Sequence, residues 1–316
     1  MLYNNFIIDN LIACGWLRYN NNVVQFARKS HVDRSNNMKT YSINLAQHYP
    51  WVLGGQLDCL LMDYPFDNGD EKSWKRPAVI VVPGGGYQMV SKREGEPVAT
   101  AFLARGFQTF ILRYLVESDG VRYPEQLLEL ASAVDYIKKH ADEMNVNEDE
   151  IFAIGFSAGG HLVGNLSVEH QSVSQKAGVL VHCKPTAVGL IYPVISQING
   201  HQGTYDSLLN GYSEIAKAEL YKTVNLNEVV SQDTPPAFIC STAEDSGVPP
   251  CNAIRYALAL NEQCIPYELH VYPHGHHGLS IGSKEINTIV PCALEKYANW
   301  VDDCASFFRE FVKEPF

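Results

Sequence analysis

Short apolar runs alternate with segments of helical periodicity along most of the chain. Residues 77–83 read PAVIVVP, a β-branched run between prolines that predicts a strand buried on both faces. Residues 125–140 carry an apolar stripe with helical spacing. Further strands are predicted at 107–112, 151–155, 186–192, 236–242 and 266–272, and helices at 250–263 and 290–312. This alternation indicates crossover units, and hence an α/β fold with a mostly parallel sheet covered by helices on both faces.

The two ends of this pattern and one long interruption define the expected domain organisation. The runs at 41–46 and 57–63 predict antiparallel strands at the leading edge of the sheet. Residues 194–235 lack strong periodicity, and we interpret them as a small cap inserted over the sheet, the alternative being a surface excursion without a functional part. Residues 1–37 are rich in asparagine, so we expect an N-terminal extension, either separate or docked as an arm, before a domain over 38–316.

Composition narrows the classes of function. The chain has 316 residues, of which 46% are hydrophobic, and a formal net charge of −11. The acidic balance argues against nucleic acid or anionic membrane surfaces as the main partner. No run of 18 apolar residues occurs and the first residues lack a basic segment, so we expect neither a membrane span nor a secretory leader, but a cytoplasmic protein. The eight cysteines form no C-x-x-C pair and are expected to be reduced and mostly packed.

The strongest chemical signal is the G-x-S-x-G pattern of residues 155–159, which centres on Ser157 and stands between a predicted strand and a predicted helix. A sharp turn there projects the serine Oγ above the sheet, and the small residues let strand and helix approach. The N–H of Ala158 would then lie at a helix N-terminus, where it favours an anion. A glycine- and serine-rich turn without catalysis is the alternative, which this context disfavours.

A nucleophilic serine needs a base, and the base needs an orienting acid. In this class of fold the acid follows the serine along the chain. The predicted strand at 236–242 is followed by Glu244 and Asp245, and a carboxylate just beyond the carboxyl end of a strand suits this role. Only one of two neighbours in a loop can face the histidine, so the residues alone leave both candidates open.

Three histidines compete for the role of base in the loop after the predicted strand at 266–272: His274, His276 and His277. We choose His277, which stands directly before a glycine. With His270 they could also form a metal site, but zinc ligands usually come with carboxylates or thiols at regular offsets. We therefore expect no metal.

The third part of the expected site is the glycine run in PGGGY, residues 83–87, which directly follows the first buried strand. Glycines let the backbone bend toward a substrate and offer peptide N–H groups that could bind an oxyanion. A phosphate-binding loop is the competing interpretation. It fails because neither G-x-x-x-x-G-K-[ST] nor G-x-G-x-x-G is present.

The ordered motifs PGGGY, GFSAGGH, TPPAFICSTAEDSGVPPCNA and HVYPHGHHGLS resemble the α/β-hydrolase superfamily, and within it the bacterial acetyl-esterase and xylan-esterase-like group of lipases and esterases. The resemblance runs from about Met38 to the C-terminus. It implies that Ser157 is the nucleophile, His277 the base and Asp245 the acid, four residues before a proline. The residues that match the oxyanion-hole region are Gly85, Gly86 and Ala158.

The resemblance implies a serine esterase that hydrolyses short-chain acyl esters, above all acetyl esters, with carbohydrates among the substrates, through an acyl-serine and without a cofactor. The expected partner is a small-molecule ester, and the number of subunits stays open, a homo-oligomer included. The alternatives are a peptidase or amidase on the same fold, or a binding protein that has lost activity. Pro83, where lipase-like relatives often carry histidine, and Leu115, where relatives often carry arginine, depart from the pattern and concern substrate preference.

Overall fold

The computed structural model describes residues 16–19, 22–25, 38–62, 74–284, 286–287 and 294–313. The chain divides into two units, Met1–Asn37 and Met38–Phe316. In the first unit, strands β1 (Trp16–Tyr19) and β2 (Asn22–Gln25) pair antiparallel. The expected N-terminal extension falls mostly outside the described residues.

A single sheet organises the described part of the second unit. Its strands are β3 (Met38–Asn44), β4 (Gln56–Met62), β5 (Arg76–Val82), β6 (Gln108–Arg113), β7 (Val146–Phe156), β8 (Val188–Ile191), β9 (Ala237–Thr242) and β10 (Tyr267–Tyr272). They lie in the order β10-β9-β8-β7-β5-β6-β4-β3. Both pairings of β4, with β3 and with β6, are antiparallel, and the other neighbours pair parallel. The expected mostly parallel sheet with antiparallel leading strands is therefore confirmed.

Helices cover both faces of this sheet. The described helices are α1 (Glu96–Leu103), α2 (Glu125–Lys139), α3 (Ala158–Ala177), α4 (Gln202–Leu208), α5 (Glu214–Val224), α6 (Cys251–Glu262), α7 (Glu295–Ala298) and α8 (Trp300–Arg309). Alternate residues of β5 enter two apolar clusters: Ile80 packs with α2, α3 and α6, and Val79 with α1 and α8. All seven residues of β5 are buried, as expected for a central parallel strand.

The element boundaries differ from the predictions in two places. Strand β7 begins at Val146 rather than 151, because Val146 pairs with Arg76; a register irregularity separates this pair from the next one, between Ile151 and Ala78. The helix predicted at 290–312 is two shorter helices, α7 and α8, and residues 288–293 lie outside the described part. The segment 194–235 contains α4 and α5; α5 buries only Val224 among its residues, so it leaves little apolar stripe in the sequence.

The cysteines in the described part of the chain are not paired with one another. Of the six cysteines within the described residues, all are free thiols and four are buried: Cys59, Cys183, Cys240 and Cys304. No helix in the described part of the chain has the length and apolar character needed to cross a membrane.

Candidate active site

Ser157 occupies the turn between β7 and α3. Its φ of 53° lies in the left-handed region, which a residue with a side chain rarely adopts. The turn is held from both sides: the Ser157 N–H donates to the carbonyl of Ile191 at 3.0 Å, and its carbonyl accepts from the N–H groups of His161 and Val194 at 3.0 and 3.1 Å. These bonds fix a strained conformation that carries Oγ above the carboxyl edge of the sheet.

The glycines on either side of Ser157 have a steric reason. A Cβ at Gly155 would lie 2.1 Å from the carbonyl oxygen of Gly159, and a Cβ at Gly159 would lie 2.1 Å from that of Val82. Real Cβ atoms do not approach backbone oxygens so closely. The G-x-S-x-G spacing is therefore what allows α3 to start directly against the ends of β5 and β7.

The structure brings Ser157, His277 and Asp245 together. Nε2 of His277 lies 2.8 Å from Ser157 Oγ, and Nδ1 lies 2.7 Å from Oδ2 of Asp245. The geometry fits a neutral imidazole that donates its Nδ1–H to the carboxylate and accepts the serine hydroxyl proton at Nε2. Asp245 is buried, and its other oxygen accepts from the N–H groups of Gly247 and Val248 at 2.9 and 2.8 Å. The carboxylate is thus fixed by the backbone before it meets the imidazole.

Glu244, the other candidate acid, lies in a different environment. It is exposed, and its carboxylate accepts from His274 Nδ1–H at 2.9 Å and from the Gly275 N–H at 3.0 Å. These two hydrogen bonds lower the pKa of Glu244. His276 is also exposed, and its Nδ1–H donates to the carbonyl of His277. Of the adjacent carboxylates, Asp245 is therefore the one in contact with His277.

The glycine loop lies against the serine. The N–H of Gly84 donates to Oε2 of Glu94 at 2.8 Å, so that group is already used. The N–H groups of Gly85, Gly86 and Ala158, by contrast, have no acceptor within the described part of the chain. A Cβ at Gly84 would lie 3.0 Å from that of Ser157, which shows how closely the loop approaches the nucleophile. The three candidate oxyanion residues thus belong to two segments next to Ser157, the glycine loop and the start of α3.

Three residues that sequence analysis missed form a buried network beside these groups. The Tyr192 hydroxyl donates to Oε1 of Glu94 at 2.7 Å and accepts from the Ser280 N–H at 2.9 Å. The Tyr192 ring stands edge-to-face against His277, with centroids 5.1 Å apart. Burial, followed by the charge of Glu94, raises the pKa of Tyr192 well above its usual value, so its hydroxyl keeps its proton.

A second missed contact joins the glycine loop to the 194–235 segment. The Tyr87 hydroxyl donates to Nδ1 of His161 at 2.9 Å, and Nε2–H of His161 donates to the carbonyl of Val224 at 2.9 Å. Burial lowers the pKa of His161 to about 4, which keeps the ring neutral and able to make both bonds. Gln88 adds a bond from its Nε2 to Oγ of Ser207 at 3.1 Å. The loop is therefore supported by both α3 and the segment expected to form the cap.

No group of three or more histidine, cysteine, aspartate or glutamate side chains within the described residues is arranged to hold a metal ion. The groups that meet at the site are a hydroxyl, an imidazole, a buried carboxylate and peptide N–H groups without an acceptor among the described residues. Together these can activate a nucleophile and stabilise an oxyanion.

Comparison with known proteins places this chain in a family. The family model BD-FAE matches residues 66–260. Endo-1,4-beta-xylanase B of Butyrivibrio fibrisolvens is 36% identical over 215 residues, which are 67% of this chain and 34% of that protein. The acetylxylan esterase of Xylanibacter ruminicola is 30% identical over 212 residues, 65% of this chain and 42% of that protein. The chain thus spans less than half the length of these two curated relatives.

A solved structure is similar over more of its own length. The acetyl ester-xyloside bifunctional hydrolase of Caldicellulosiruptor lactoaceticus superimposes with a TM-score of 0.68 at 29% identity, covering 82% of this chain and 88% of that one.

Proposed function

This chain is an α/β-hydrolase that belongs to the BD-FAE family, and from that premise we propose that it is a serine esterase acting on short acyl esters, with acetyl esters of carbohydrates as its substrate class. The observation that carries the proposal is the series of hydrogen bonds from Asp245 through His277 to Ser157. It ends beside peptide N–H groups that have no acceptor among the described residues. The proposed catalytic domain is 38–316, with 194–235 as its cap.

The first step of the proposed mechanism is attack of Ser157 Oγ on the ester carbonyl carbon. Nε2 of His277 accepts the hydroxyl proton as the new C–O bond forms, and Asp245 stabilises the resulting imidazolium through its bond to Nδ1–H. Because Asp245 is buried and held by two peptide N–H groups, it keeps the ring in the tautomer that leaves Nε2 free to accept a proton.

The carbonyl oxygen becomes negatively charged in the tetrahedral intermediate. The N–H groups of Ala158 and of Gly85 or Gly86 are proposed to bind it, and the loss of one such donor typically raises the barrier by about 3 kcal/mol. Collapse of the intermediate breaks the bond to the alcohol oxygen, which takes the proton from His277. Water then attacks the acyl-serine by the same route, releasing the acid and restoring the serine hydroxyl. Every step uses protein groups and water.

The substrate class rests on the relatives. One curated relative carries the name acetylxylan esterase, another is a xylanase, and the similar solved structure is an acetyl ester-xyloside hydrolase. These names support a carbohydrate ester as substrate, and the acetyl group as the acyl part.

The experiment is the hydrolysis of p-nitrophenyl esters of increasing acyl length and of acetylated xylo-oligosaccharides by the full chain and by Ser157→Ala. We expect the variant to lose at least about 10³-fold in kcat, because it lacks the hydroxyl on which the proposed acyl intermediate forms. Ser167→Ala is the matched control: Ser167 lies on the same helix, and its buried hydroxyl donates to the carbonyl of Val163. A Ser157→Ala protein as active as this control would contradict the proposal, and cleavage of amides in preference to esters would favour the peptidase alternative.

A further inference from the structure

Glu94 is a buried carboxylate that the proposed mechanism does not use, and it stands between the two loops on which that mechanism depends. Its side chain is 3% exposed. Oε2 accepts from the N–H of Gly84, at the start of the glycine loop, and Oε1 accepts from the hydroxyl of Tyr192. Among the described residues, no cation lies within ion-pair distance of it. Its two oxygens are therefore used for two neutral donors, one on each side.

On one side, the bond to Gly84 fixes the peptide that precedes the candidate oxyanion donors. A Cβ at Gly84 would lie 3.0 Å from both Glu94 Oε2 and Ser157 Cβ, so this peptide is held between the carboxylate and the nucleophile. The Gly84 carbonyl accepts from the N–H of Ser91 at 3.0 Å, which closes the loop on itself. The Gly85 and Gly86 N–H groups belong to the next two residues along the chain, so a displacement of the Gly84 peptide would displace them as well.

On the other side, the network reaches the loop of the base. The Tyr192 hydroxyl accepts from the N–H of Ser280, three residues after His277, and its ring packs edge-to-face on the imidazole. Ser280 is fully buried, and its Oγ donates to the carbonyl of Arg93, the residue before Glu94. Its own carbonyl accepts from Tyr297 and Trp300. The base loop is thus joined to residues 93–94 by two separate connections, one through the Tyr192 hydroxyl to Glu94 and one directly to the carbonyl of Arg93.

We propose that Glu94 is a positioning residue that sets the distance between the oxyanion-binding N–H groups and His277, by holding the Gly84 peptide and the Tyr192 hydroxyl at the same time. This inference rests on the proposed function. A carboxylate suits the role because both of its oxygens accept hydrogen bonds, whereas a glutamine has one acceptor oxygen and cannot accept from the Gly84 N–H and the Tyr192 hydroxyl at the same time.

The test compares Glu94→Ala, Glu94→Gln and Tyr192→Phe with the parent chain, using kcat and KM on p-nitrophenyl acetate, the inhibition constant of a boronic acid that forms a tetrahedral adduct with the serine, and the melting temperature. A misplacement of about 1 Å can cost on the order of 10²-fold in rate. We expect Glu94→Ala to lose about 10- to 100-fold in kcat with KM changed by less than about threefold, and Glu94→Gln and Tyr192→Phe to lose less. Boronate affinity should fall in parallel with kcat, because both report the oxyanion geometry.

The chain provides a matched control in a second buried tyrosine–glutamate pair. The Tyr123 hydroxyl lies 2.9 and 2.8 Å from the two oxygens of Glu169, and both residues are buried. Glu169→Gln and Tyr123→Phe should lower the melting temperature and leave kcat within about twofold. A double variant of Glu94→Gln and Tyr192→Phe should be no slower than about the slower single variant, since both changes break the same connection.

Equal kcat in the parent, Glu94→Ala and Tyr192→Phe would overturn the positioning role while leaving the esterase proposal intact. The same conclusion would follow if the Glu94 and Tyr192 variants lost no more kcat than Glu169 and Tyr123 variants of equal melting temperature. Should Glu94→Ala not fold, Tyr192→Phe decides, because it keeps the ring and removes only the hydroxyl. A parent chain that neither hydrolyses esters nor binds the boronate would overturn both proposals.

Discussion

Gly159 is the position where one added methyl group tests the geometry of the nucleophile turn. A Cβ there would lie 2.1 Å from the carbonyl oxygen of Val82 and 2.4 Å from that of Pro83. Both neighbours are backbone atoms at the end of the central strand, so no side chain can move aside. To restore an ordinary contact, the start of α3 must move away from β5 by about 1 Å.

We expect Gly159→Ala to lower the catalytic rate more than the stability. Overpacking typically costs about 1–3 kcal/mol, and alanine in place of glycine in a helix recovers up to about 1 kcal/mol. Gly159→Ala should therefore lose no more than about 2–3 kcal/mol of unfolding free energy. The same shift moves Ser157 relative to His277 and the glycine loop, for which a loss on the order of 10²-fold in kcat/KM is expected.

The assay is kcat/KM on p-nitrophenyl acetate together with thermal unfolding, and Gly164→Ala is the matched control. Gly164 lies on the same helix, but a Cβ there meets only the ends of two flexible side chains, Leu226 at 2.7 Å and Leu190 at 4.0 Å. We expect that control to stay within about threefold of the parent activity. A folded Gly159→Ala protein as active as Gly164→Ala would refute the argument that this close approach positions the nucleophile.

Three further predictions concern the acid, the base loop and pH. Asp245→Asn should lower kcat by about 10⁴-fold, because it favours the wrong imidazole tautomer, whereas Glu244→Gln should change it by less than about threefold; the reverse order would reassign the acid. His276→Ala should keep activity within about threefold, since its exposed ring donates to the carbonyl of His277; inactivation would make it the base. Burial raises the pKa of Glu129 from 4.5 to about 9. Between these two pH values the folded chain holds a proton that the unfolded chain releases. The stability that this proton contributes is therefore lost as pH rises from about 4.5 to 9. Glu129→Gln should therefore flatten the fall of the melting temperature between about pH 5 and 9, and an unchanged slope would contradict this.

Much of the fold follows from local pattern. The β-branched run of β5 and the apolar stripe of α2 are strong signals, because burial continues without a break along most of each element. The first half of β7 was missed because Asn147, Glu148 and Asp149 are polar and only part of that segment is buried. The pattern of apolar residues predicts an element well where the whole element is packed, and poorly where the element has a polar end.

The residues of the site also differ in how far the sequence predicts them. Ser157 and His277 stand in short motifs whose neighbours dictate the turn, so sequence alone could select them as candidates, and their catalytic roles stay predictions until measured. The choice between Glu244 and Asp245 depends on the direction of two adjacent side chains, which the pattern of residues does not encode. The partners of Tyr192, by contrast, lie 98 and 88 residues away along the chain, in segments that meet only in the folded protein. No motif in the sequence indicates them.

The most direct test of the account is covalent labelling with a fluorophosphonate, followed by mass spectrometry of the intact chain and of its peptides. The account predicts one adduct per chain, carried by the peptide that contains Ser157, absent from Ser157→Ala and formed far more slowly in His277→Ala. An unlabelled parent chain, or an adduct on another residue with Ser157 unmodified, would contradict the claim that these side chains form a nucleophilic site.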